Sequence, residues 1–242
     1  MLRLATLSSA LLLFGCADQG DEGMTVINNT AVSGTSCSLS GDTSQPFKSH
    51  GQIFALAPTG YILTPLIQSR VALGTEVNAD ELQKTIFLRG ADVSLTLKAV
   101  SIETNGQYTV TNPETNVGQF SVLFAGALPP EGSVNVGFEV ITPAILRNIL
   151  GMSGVNLTTS SLNAEVLAEV TVRGDLGSDE VTSNVFQYPI SVCTDCVINV
   201  VGACPMVGTP RAGDACNIYQ DGVVDCCTET DGSLSCPART GT

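Results

Sequence analysis

Residues 162–173 have the sequence LNAEVLAEVTVR, and this stretch decides the fold class. Apolar side chains occupy every second position, which places on one side Leu162, Ala164, Val166, Ala168, Val170 and Val172. The side chains between them are mostly polar or charged. Successive side chains of a β-strand point to opposite faces of its sheet. The alternation therefore predicts a strand with one face in a core and the other in water.

The sequence after this strand predicts a hairpin. Residues 174–177, GDLG, have the composition of a turn, and residues 181–193, VTSNVFQYPISVC, have that of a returning strand. Pro189 interrupts the returning strand and has no N–H to donate to a neighbour. We therefore expect an edge position or a bulge at Pro189.

Most of the chain before residue 162 divides into further short strands. Strands are predicted at residues 24–29, 52–57, 84–90, 92–100, 107–111, 119–126 and 133–141. Turn signals separate several of them, including Asn105-Gly106 and Asn112-Pro113. One helix is indicated by Thr142 as its cap, Pro143 at its first position and Gly151 as its end. Residues 62–72 are compatible with either a strand or a helix.

Short alternating strands at this spacing are typical of a sandwich or a barrel. The pattern resembles that of immunoglobulin and fibronectin type III domains. The predicted fold is thus all-β, an immunoglobulin-like antiparallel β-sandwich with one short helix and a small C-terminal disulfide-rich tail. The resemblance concerns architecture alone, and because such sandwiches host many functions, it implies none.

The charge of the chain excludes one class of partner. Its 242 residues include 10 Lys plus Arg against 23 Asp plus Glu. Loss of an N-terminal signal containing Arg3 would leave 9 basic and 23 acidic residues, a formal charge of −14. A chain with this negative charge repels the phosphate backbone of nucleic acids. We therefore expect no nucleic-acid partner. It also lacks the basic clusters that hold a protein on anionic lipid, so its acidity is interpreted as a source of solubility.

The first residues predict export. Arg3 precedes an apolar stretch at residues 4–14, which is too short to span a bilayer but suits a signal peptide. Residues 13–16, Leu-Phe-Gly-Cys, resemble the lipobox of bacterial lipoproteins, in which a small residue precedes a Cys that becomes acylated. The resemblance implies a signal at residues 1–15, a lipid on Cys16 and, with Ala17 next, an outer-membrane location. Ordinary signal cleavage after Ala17 is the alternative.

Residues 16–24 then form a short acidic and Gly-rich segment, interpreted as a flexible linker between the anchor and the folded domain. The sandwich is assigned to residues 25–198 and the cysteine-rich knot to residues 199–242.

Apart from Cys16, the chain has eight cysteines, and an even number in an exported chain predicts four disulfides. They are Cys37, Cys193, Cys196, Cys204, Cys216, Cys226, Cys227 and Cys236. Sequence leaves the pairing open among 105 arrangements. We expect the adjacent Cys226 and Cys227 to have different partners, and Cys37 to tie the tail or the last strand to the N-terminal half. Residues 199–242 contain few apolar side chains, so their order depends on these bonds.

Two metal hypotheses compete with structural disulfides in the tail. Cys193 and Cys196 form a CxxC motif, which could be a redox pair or, with Cys204 and Cys216, a zinc site. Oxygen ligands for calcium could come from Asp214, Asn217, Asp221 and Asp225, although their spacing does not match an EF-hand loop. Structural disulfides and solvated acidic side chains are the preferred interpretation, so no cofactor and no metal are assigned.

The sequence contains no established catalytic motif. His50 is the only histidine, and a Ser-His-Asp arrangement through it stays open as a hydrolase hypothesis. The sequence lacks the GxSxG, SxxK, HExxH, GxGxxG and Walker patterns. We therefore do not expect an enzyme, and assign no catalytic residue.

The segments FQYPISVCTDC and DACNIYQDGVVDCC resemble uncharacterised myxobacterial-type surface lipoproteins, a resemblance that implies no activity. The sequence leads to a lipid-anchored envelope or cell-surface protein with a non-catalytic structural or interaction role. Its expected partners are the membrane, through the lipid, and an unidentified protein or glycan. A calcium- or zinc-binding module in the tail and a hydrolase using His50 are the alternatives.

Overall fold

The computed structural model describes residues 23–32, 37–73, 84–157, 159–206, 208–214 and 216–237. The expected signal at residues 1–15 and the expected lipid site at Cys16 lie outside these residues. Within them are one helix, α1 (Pro143–Ser153), and sixteen strands. The strands are β1 (Met24–Thr30), β2 (Phe47–Lys48), β3 (Gly51–Phe54), β4 (Tyr61–Leu63), β5 (Pro65–Ser69), β6 (Ile86–Thr104), β7 (Gln107–Thr111), β8 (Thr115–Leu128), β9 (Ser133–Asn135), β10 (Phe138–Ile141), β11 (Ser160–Leu176), β12 (Asp179–Thr182), β13 (Phe186–Cys193), β14 (Ile198–Ala203), β15 (Val224–Thr228) and β16 (Leu234–Ser235).

The larger sheet is built on the two longest strands. Strand β11 pairs antiparallel with β6 from Ser160↔Thr104 to Leu176↔Ile86. The strand order is β3-β13-β11-β6-β7, with β8 beside the first part of β6 and β12 beside the end of β11. The apolar positions predicted in residues 162–173 are all at most 1% exposed. Because these six side chains share one face, that face is the wall of the core.

A smaller sheet of order β2-β1-β5-β9 and the pair β10-β4 supply the other side of the core. Their buried apolar side chains join those of the larger sheet in one cluster, to which belong Met24, Val26, Leu63, Ile67, Val140 and Ile141. Two layers over one apolar core define a β-sandwich. The predicted all-β sandwich with one short helix and a cysteine-rich tail is therefore confirmed.

The immunoglobulin-like prediction required every strand pair to be antiparallel, but two pairs are parallel. Strand β3 pairs parallel with the last four residues of β13, and β14 pairs parallel with β15. Parallel neighbours need a long connection between them, and here most of the sandwich separates β3 from β13. Pro189 lies one residue before the first pair with β3, Ile190↔Gly51, so it occupies an edge stretch as predicted.

Several element boundaries differ from the predicted ones. The single strand β6 contains most of residues 84–90 and all of residues 92–100. Residues 62–72 contain most of β4 and all of β5 rather than a helix. Helix α1 begins as predicted, with Ile145 N donating to Thr142 Oγ1 at 3.3 Å. It does not end at Gly151, because the left-handed residue that ends it is Gly154 at φ +63°. Within the described residues, no helix has the length and apolarity needed to cross a bilayer.

The cysteine-rich tail contacts the sandwich directly. Strands β14, β15 and β16 form its small sheet, and the loop before β15 lies against β3. Phe54 N donates to Tyr219 O at 2.9 Å, and Asp221 N donates to Gln52 O at 2.8 Å. These backbone bonds extend the larger sheet beyond β3, so the tail covers that edge.

Candidate functional site

The eight cysteines outside the signal region form four disulfides. The pairs are Cys37–Cys216, Cys193–Cys196, Cys204–Cys227 and Cys226–Cys236. Adjacent Cys226 and Cys227 thus have different partners, and Cys37 reaches the tail over a sequence separation of 179 residues. A disulfide sulfur carries no thiolate, the form that binds zinc or attacks a substrate. In this oxidised state the cysteines serve as cross-links.

The CxxC motif lies at the junction of the sandwich and the tail. Cys193 ends β13 and is 1% exposed, whereas Cys196 follows in the loop before β14. Thr194, between the two cysteines, is bound to strand β11. Leu162 N donates to its hydroxyl at 2.9 Å, and Thr194 N donates to Leu162 O at 3.0 Å. The motif follows a strand, not the helix N-terminus that lowers a thiol pKa.

The four candidate calcium ligands do not converge on one site. Asp214, Asn217 and Asp221 lie in the loop against the sandwich, whereas Asp225 lies in β15 with a separate set of partners. Each carboxylate already accepts several N–H or O–H donors, as described below. A calcium site requires several free oxygens directed at one point, and these side chains direct their oxygens to protein donors.

Asp221 is the centre of a buried polar cluster. Its Oδ2 accepts from Lys48 Nζ at 2.8 Å, and its Oδ1 accepts from Gln52 N at 2.9 Å. The Tyr61 hydroxyl reaches both oxygens at 3.0 and 3.2 Å, and Lys48 also donates to Asp214 Oδ2 at 3.2 Å. The Asp221 side chain is 5% exposed, so its charge is balanced by Lys48 and not by water.

The environment of this cluster shifts the protonation of its neighbours. Burial by itself would lower the pKa of Lys48, but the charges and hydrogen bonds of Asp221 and Asp214 outweigh that effect and raise it. Burial, then the negative charge of Asp221, holds the pKa of Tyr61 far above its ordinary value. Tyr188, whose hydroxyl lies 3.2 Å from that of Tyr61, also has a raised pKa through burial. The cluster therefore keeps a charged lysine and two neutral phenols.

Asn217 holds the same loop through its amide. Its Nδ2 donates to Gly60 O at 2.8 Å and to Gln220 Oε1 at 3.0 Å, while its Oδ1 accepts from Thr59 Oγ1 at 3.1 Å. Gln220 continues the network by accepting from Ile62 N at 2.9 Å. These bonds satisfy buried polar groups of both the tail and the sandwich, which identifies them as structural.

Asp225 pairs with Arg211 inside the tail. Arg211 donates from Nη2 at 2.6 Å and from Nε at 2.9 Å to Asp225 Oδ1, and its backbone N donates to Oδ2 at 2.8 Å. Asn199 Nδ2 adds a fourth donor at 2.7 Å. The hydrogen bonds from Arg211, ahead of all other causes, hold the pKa of Asp225 well below its usual range. The carboxylate is thereby fixed as an anion paired with arginine.

Three side chains of hydrolase type meet on the outer face of the larger sheet. Ser191 Oγ lies 3.1 Å from His50 Nε2 and donates to Glu165 Oε1 at 2.5 Å, and His50 Nε2 lies 3.4 Å from Glu165 Oε2. No sequence pattern indicates Ser191 or Glu165, because their proximity depends on the pairing of β11 with β13.

The arrangement of these three groups differs from that of a catalytic triad. In a Ser-His-acid triad, the serine donates to one imidazole nitrogen while the acid holds the other. Here Ser191 and Glu165 both contact Nε2, and Ser191 donates to Glu165, so the acid does not hold the opposite imidazole nitrogen. The structure thus brings His50 together with a serine and an acid, in contacts that differ from those of a triad.

One group of metal-binding side chains stands out in the described part of the chain. The ligand atoms of Cys204, Cys227 and Glu229 all lie within 4.8 Å of one another. The two sulfurs belong to one disulfide, so this group offers a carboxylate and no thiolate while the bond is intact. The four cysteines of the zinc hypothesis, Cys193, Cys196, Cys204 and Cys216, belong to three different disulfides.

Comparison with known proteins adds no function. No protein-family model matches the chain, and no curated protein does. Among solved structures, a protein from Archaeoglobus fulgidus matches with 13% identity and a TM-score of 0.32, over 66% of this chain and all of that one. AT1g01470 from Arabidopsis thaliana matches with 12% identity and a TM-score of 0.29, over 63% of this chain and 83% of that one. Spo0M, a sporulation control protein from Bacillus subtilis, matches with 9% identity and a TM-score of 0.22, over 59% of this chain and 45% of that one.

Proposed function

We propose that the chain is a lipid-anchored protein of the bacterial envelope that acts as a rigid binding or structural module without catalysis. Its anchor is Cys16, its compartment is the outer membrane, and its partners are the membrane lipid and a protein or glycan. The observation that carries the proposal is the closure of all eight remaining cysteines into four disulfides. Disulfides persist in oxidising compartments, which an exported chain reaches and a cytosolic chain does not.

The position of the tether supports display of the tail. Strand β1 starts at Met24, where Arg70 N donates to Gly23 O at 2.9 Å, and ends at Thr30, beside strand β2. Lys48 of β2 holds Asp221 of the tail. Seven residues of strand separate the two ends by about 20 Å, so a chain anchored before Gly23 holds its tail away from the anchored end.

The chemical state of the reactive side chains supports a role without catalysis. The tail acids are bound by Lys48 and Arg211, the cysteines are cross-linked, and Ser191 directs its proton to Glu165. These groups, which could otherwise act as ligand, nucleophile or base, are thus engaged in contacts within the fold.

The anchor is tested by expressing the full chain and the Cys16→Ser variant in a Gram-negative bacterium and separating membrane from soluble fractions. The proposal predicts that the full chain sediments with membranes and that Cys16→Ser does not. Ala17→Ser is the matched control, since it changes the adjacent residue and leaves the acylated sulfur, and it should behave as the full chain. Equal sedimentation of Cys16→Ser would overturn the anchor.

The non-catalytic role is tested on the purified protein with p-nitrophenyl acetate. We expect the same background rate from the full chain and from Ser191→Ala. A rate that disappears in Ser191→Ala and in His50→Ala would establish the hydrolase alternative instead.

A further inference from the structure

Strand β7 is an edge strand with both faces in solvent. Its five residues pair with the last part of β6 from Val100↔Thr111 to Thr104↔Gln107, without a register shift. All five are exposed, and the side chains of Tyr108 and Val110 are 69% and 62% exposed. The strand contains neither charge nor proline. An edge of this kind is a template on which another strand can pair.

The hairpin geometry fixes which backbone groups of β7 point outward. Asn105 and Gly106 form a two-residue turn with φ of +54° and +78°, so the flanking pair Thr104 and Gln107 exchanges both hydrogen bonds. Antiparallel pairing then alternates along the strand. The N–H and C=O groups of Tyr108 and Val110 therefore point away from β6, and no strand of the described residues pairs with them.

Other edges of the larger sheet are protected against such pairing. Strand β8 has two bulges in its register with β6, and the free stretch of β13 contains Pro189. The tail covers β3, and β12 contains Asp179 and Glu180. Natural sheets use these devices to prevent unwanted strand addition. The regular, uncharged edge of β7 departs from that pattern.

The edge strands of two other sheets show similar protection. In the smaller sheet, the edge strands β2 and β9 are only two and three residues long. In the tail, β14 is irregular between Val200 and Ala203. Within the described residues, β7 thus combines five regular residues with an unprotected edge.

The charges around β7 select the partner. The Tyr108 hydroxyl bonds to Glu103, and the negative charge of Asp195 also acts on it. Glu114 follows the strand and binds Lys98 at 2.7 Å. Because Lys98 compensates the charge of Glu114, the acidic surrounding consists of Glu103 and Asp195, and it favours a segment with basic side chains. A second copy of the chain would bring another net charge of −13 against it, which opposes self-pairing.

We propose that β7 is the docking site of an extended basic peptide segment, which adds a strand through the outward backbone groups of Tyr108 and Val110. Main-chain hydrogen bonds supply the affinity in this mode of recognition, and side chains on the two faces supply the selectivity. The inference rests on the proposed binding role and names the chemistry of its partner.

The test uses the full chain in detergent and a synthetic nonapeptide of alternating threonine and valine with a lysine at each end. Binding is measured by calorimetry for the unchanged chain, Val110→Pro and Val110→Thr. Proline removes one outward N–H without removing a hydrogen bond to β6, whereas threonine keeps the N–H and the β-branched shape. We expect Val110→Pro to bind about tenfold more weakly or not at all, and Val110→Thr to bind as the unchanged chain.

Tyr108→Pro removes the other outward N–H and serves as a second variant, so a folding defect in one variant does not end the test.

A peptide with glutamate in place of both lysines should bind about tenfold more weakly, because its negative charges are repelled by the acidic side chains around β7. Undiminished binding by both proline variants, equal binding of the glutamate peptide, or no binding by the unchanged chain would each overturn the proposal. A dimer that Val110→Pro dissolves would overturn it in favour of self-pairing. Membrane sedimentation of the same variants reports on the anchor separately.

Discussion

Lys48 Nζ lies 2.8 Å from Asp221 Oδ2, and this ion pair joins strand β2 to the cysteine-rich tail across 173 residues of sequence. The two side chains are 23% and 5% exposed, so the pair is shielded from water. Together with the Cys37–Cys216 bond, it makes the tail part of the sandwich. Both connections are therefore decisive for the stability of the folded chain.

Removing the charge of Asp221 should destabilise the protein. In Asp221→Asn, the ammonium of Lys48 keeps its burial but loses its nearest counter-charge, which costs about 2–3 kcal/mol in the free energy of unfolding. Asparagine tolerates the left-handed backbone at this position, where φ is +58°. The substitution therefore adds no backbone strain to the loss of stability that is measured. Urea unfolding followed by tyrosine fluorescence measures the loss.

Two controls separate the buried pair from charge effects in general. Lys48→Met in the Asp221→Asn background removes the unpaired ammonium and should recover part of the lost stability. Lys98→Met breaks the exposed pair with Glu114 and should change stability by about 0.5 kcal/mol or less. An effect of Lys98→Met as large as that of Asp221→Asn would contradict our account of the cluster.

The two disulfides at the junction should contribute unequally. Cys37–Cys216 closes a loop with a separation of 179 residues, whereas Cys193–Cys196 closes one with a separation of 3. Since the restriction of the unfolded chain grows with loop length, Cys37→Ser with Cys216→Ser should lose about 4 kcal/mol. Cys193→Ser with Cys196→Ser should lose clearly less. The comparison of their urea midpoints decides the order, and a reversed order would show that the tail does not depend on its long-range bond.

Alkaline pH should destabilise the protein through Tyr61. Its folded pKa lies far above the value of 10.0 for a free tyrosine, so the folded state keeps a proton that the unfolded state releases. The stability from this difference is complete below the unfolded pKa and falls as the pH rises above it. Tyr61→Phe has no such proton, and its stability should therefore decline less steeply above about pH 10. Urea midpoints measured across that range test the slope, and parallel slopes would contradict the prediction.

Absorbance of tyrosinate gives an independent check of the same cluster. Tyr61 and Tyr188 both have a raised pKa because of burial, so their ionisation should coincide with unfolding. In the Tyr61→Phe variant, the tyrosinate absorbance that appears cooperatively with alkaline unfolding should have a smaller amplitude. Loss from an early phase instead would place Tyr61 in solvent.

The sequence predicted what depends on local periodicity. The alternation in residues 162–173 identified a strand whose six apolar side chains are buried, and Thr142 and Pro143 identified the start of α1. Strands β4 and β5 remained ambiguous, because their short apolar run fits two kinds of element. The prediction that the helix ends at Gly151 is wrong, because a glycine inside a helix costs little enough free energy to be tolerated.

The contacts between distant segments could not be predicted in the same way. Ser191 and Glu165 meet because β11 and β13 pair, and His50 joins them because β3 then pairs parallel with β13. The role of Asp221 depends on Lys48 and Tyr61, which lie in two other parts of the chain. No local pattern marks such contacts, so the sequence alone predicts Asp221 only as a solvated acid or a calcium ligand.

The intact, non-reduced mass of the protein purified from membranes tests the central claim most directly. The account predicts acyl chains on Cys16 at the N-terminus of the mature chain, together with the loss of eight hydrogens that four disulfides require. An unacylated N-terminus, or free thiols among the eight tail and junction cysteines, would contradict it.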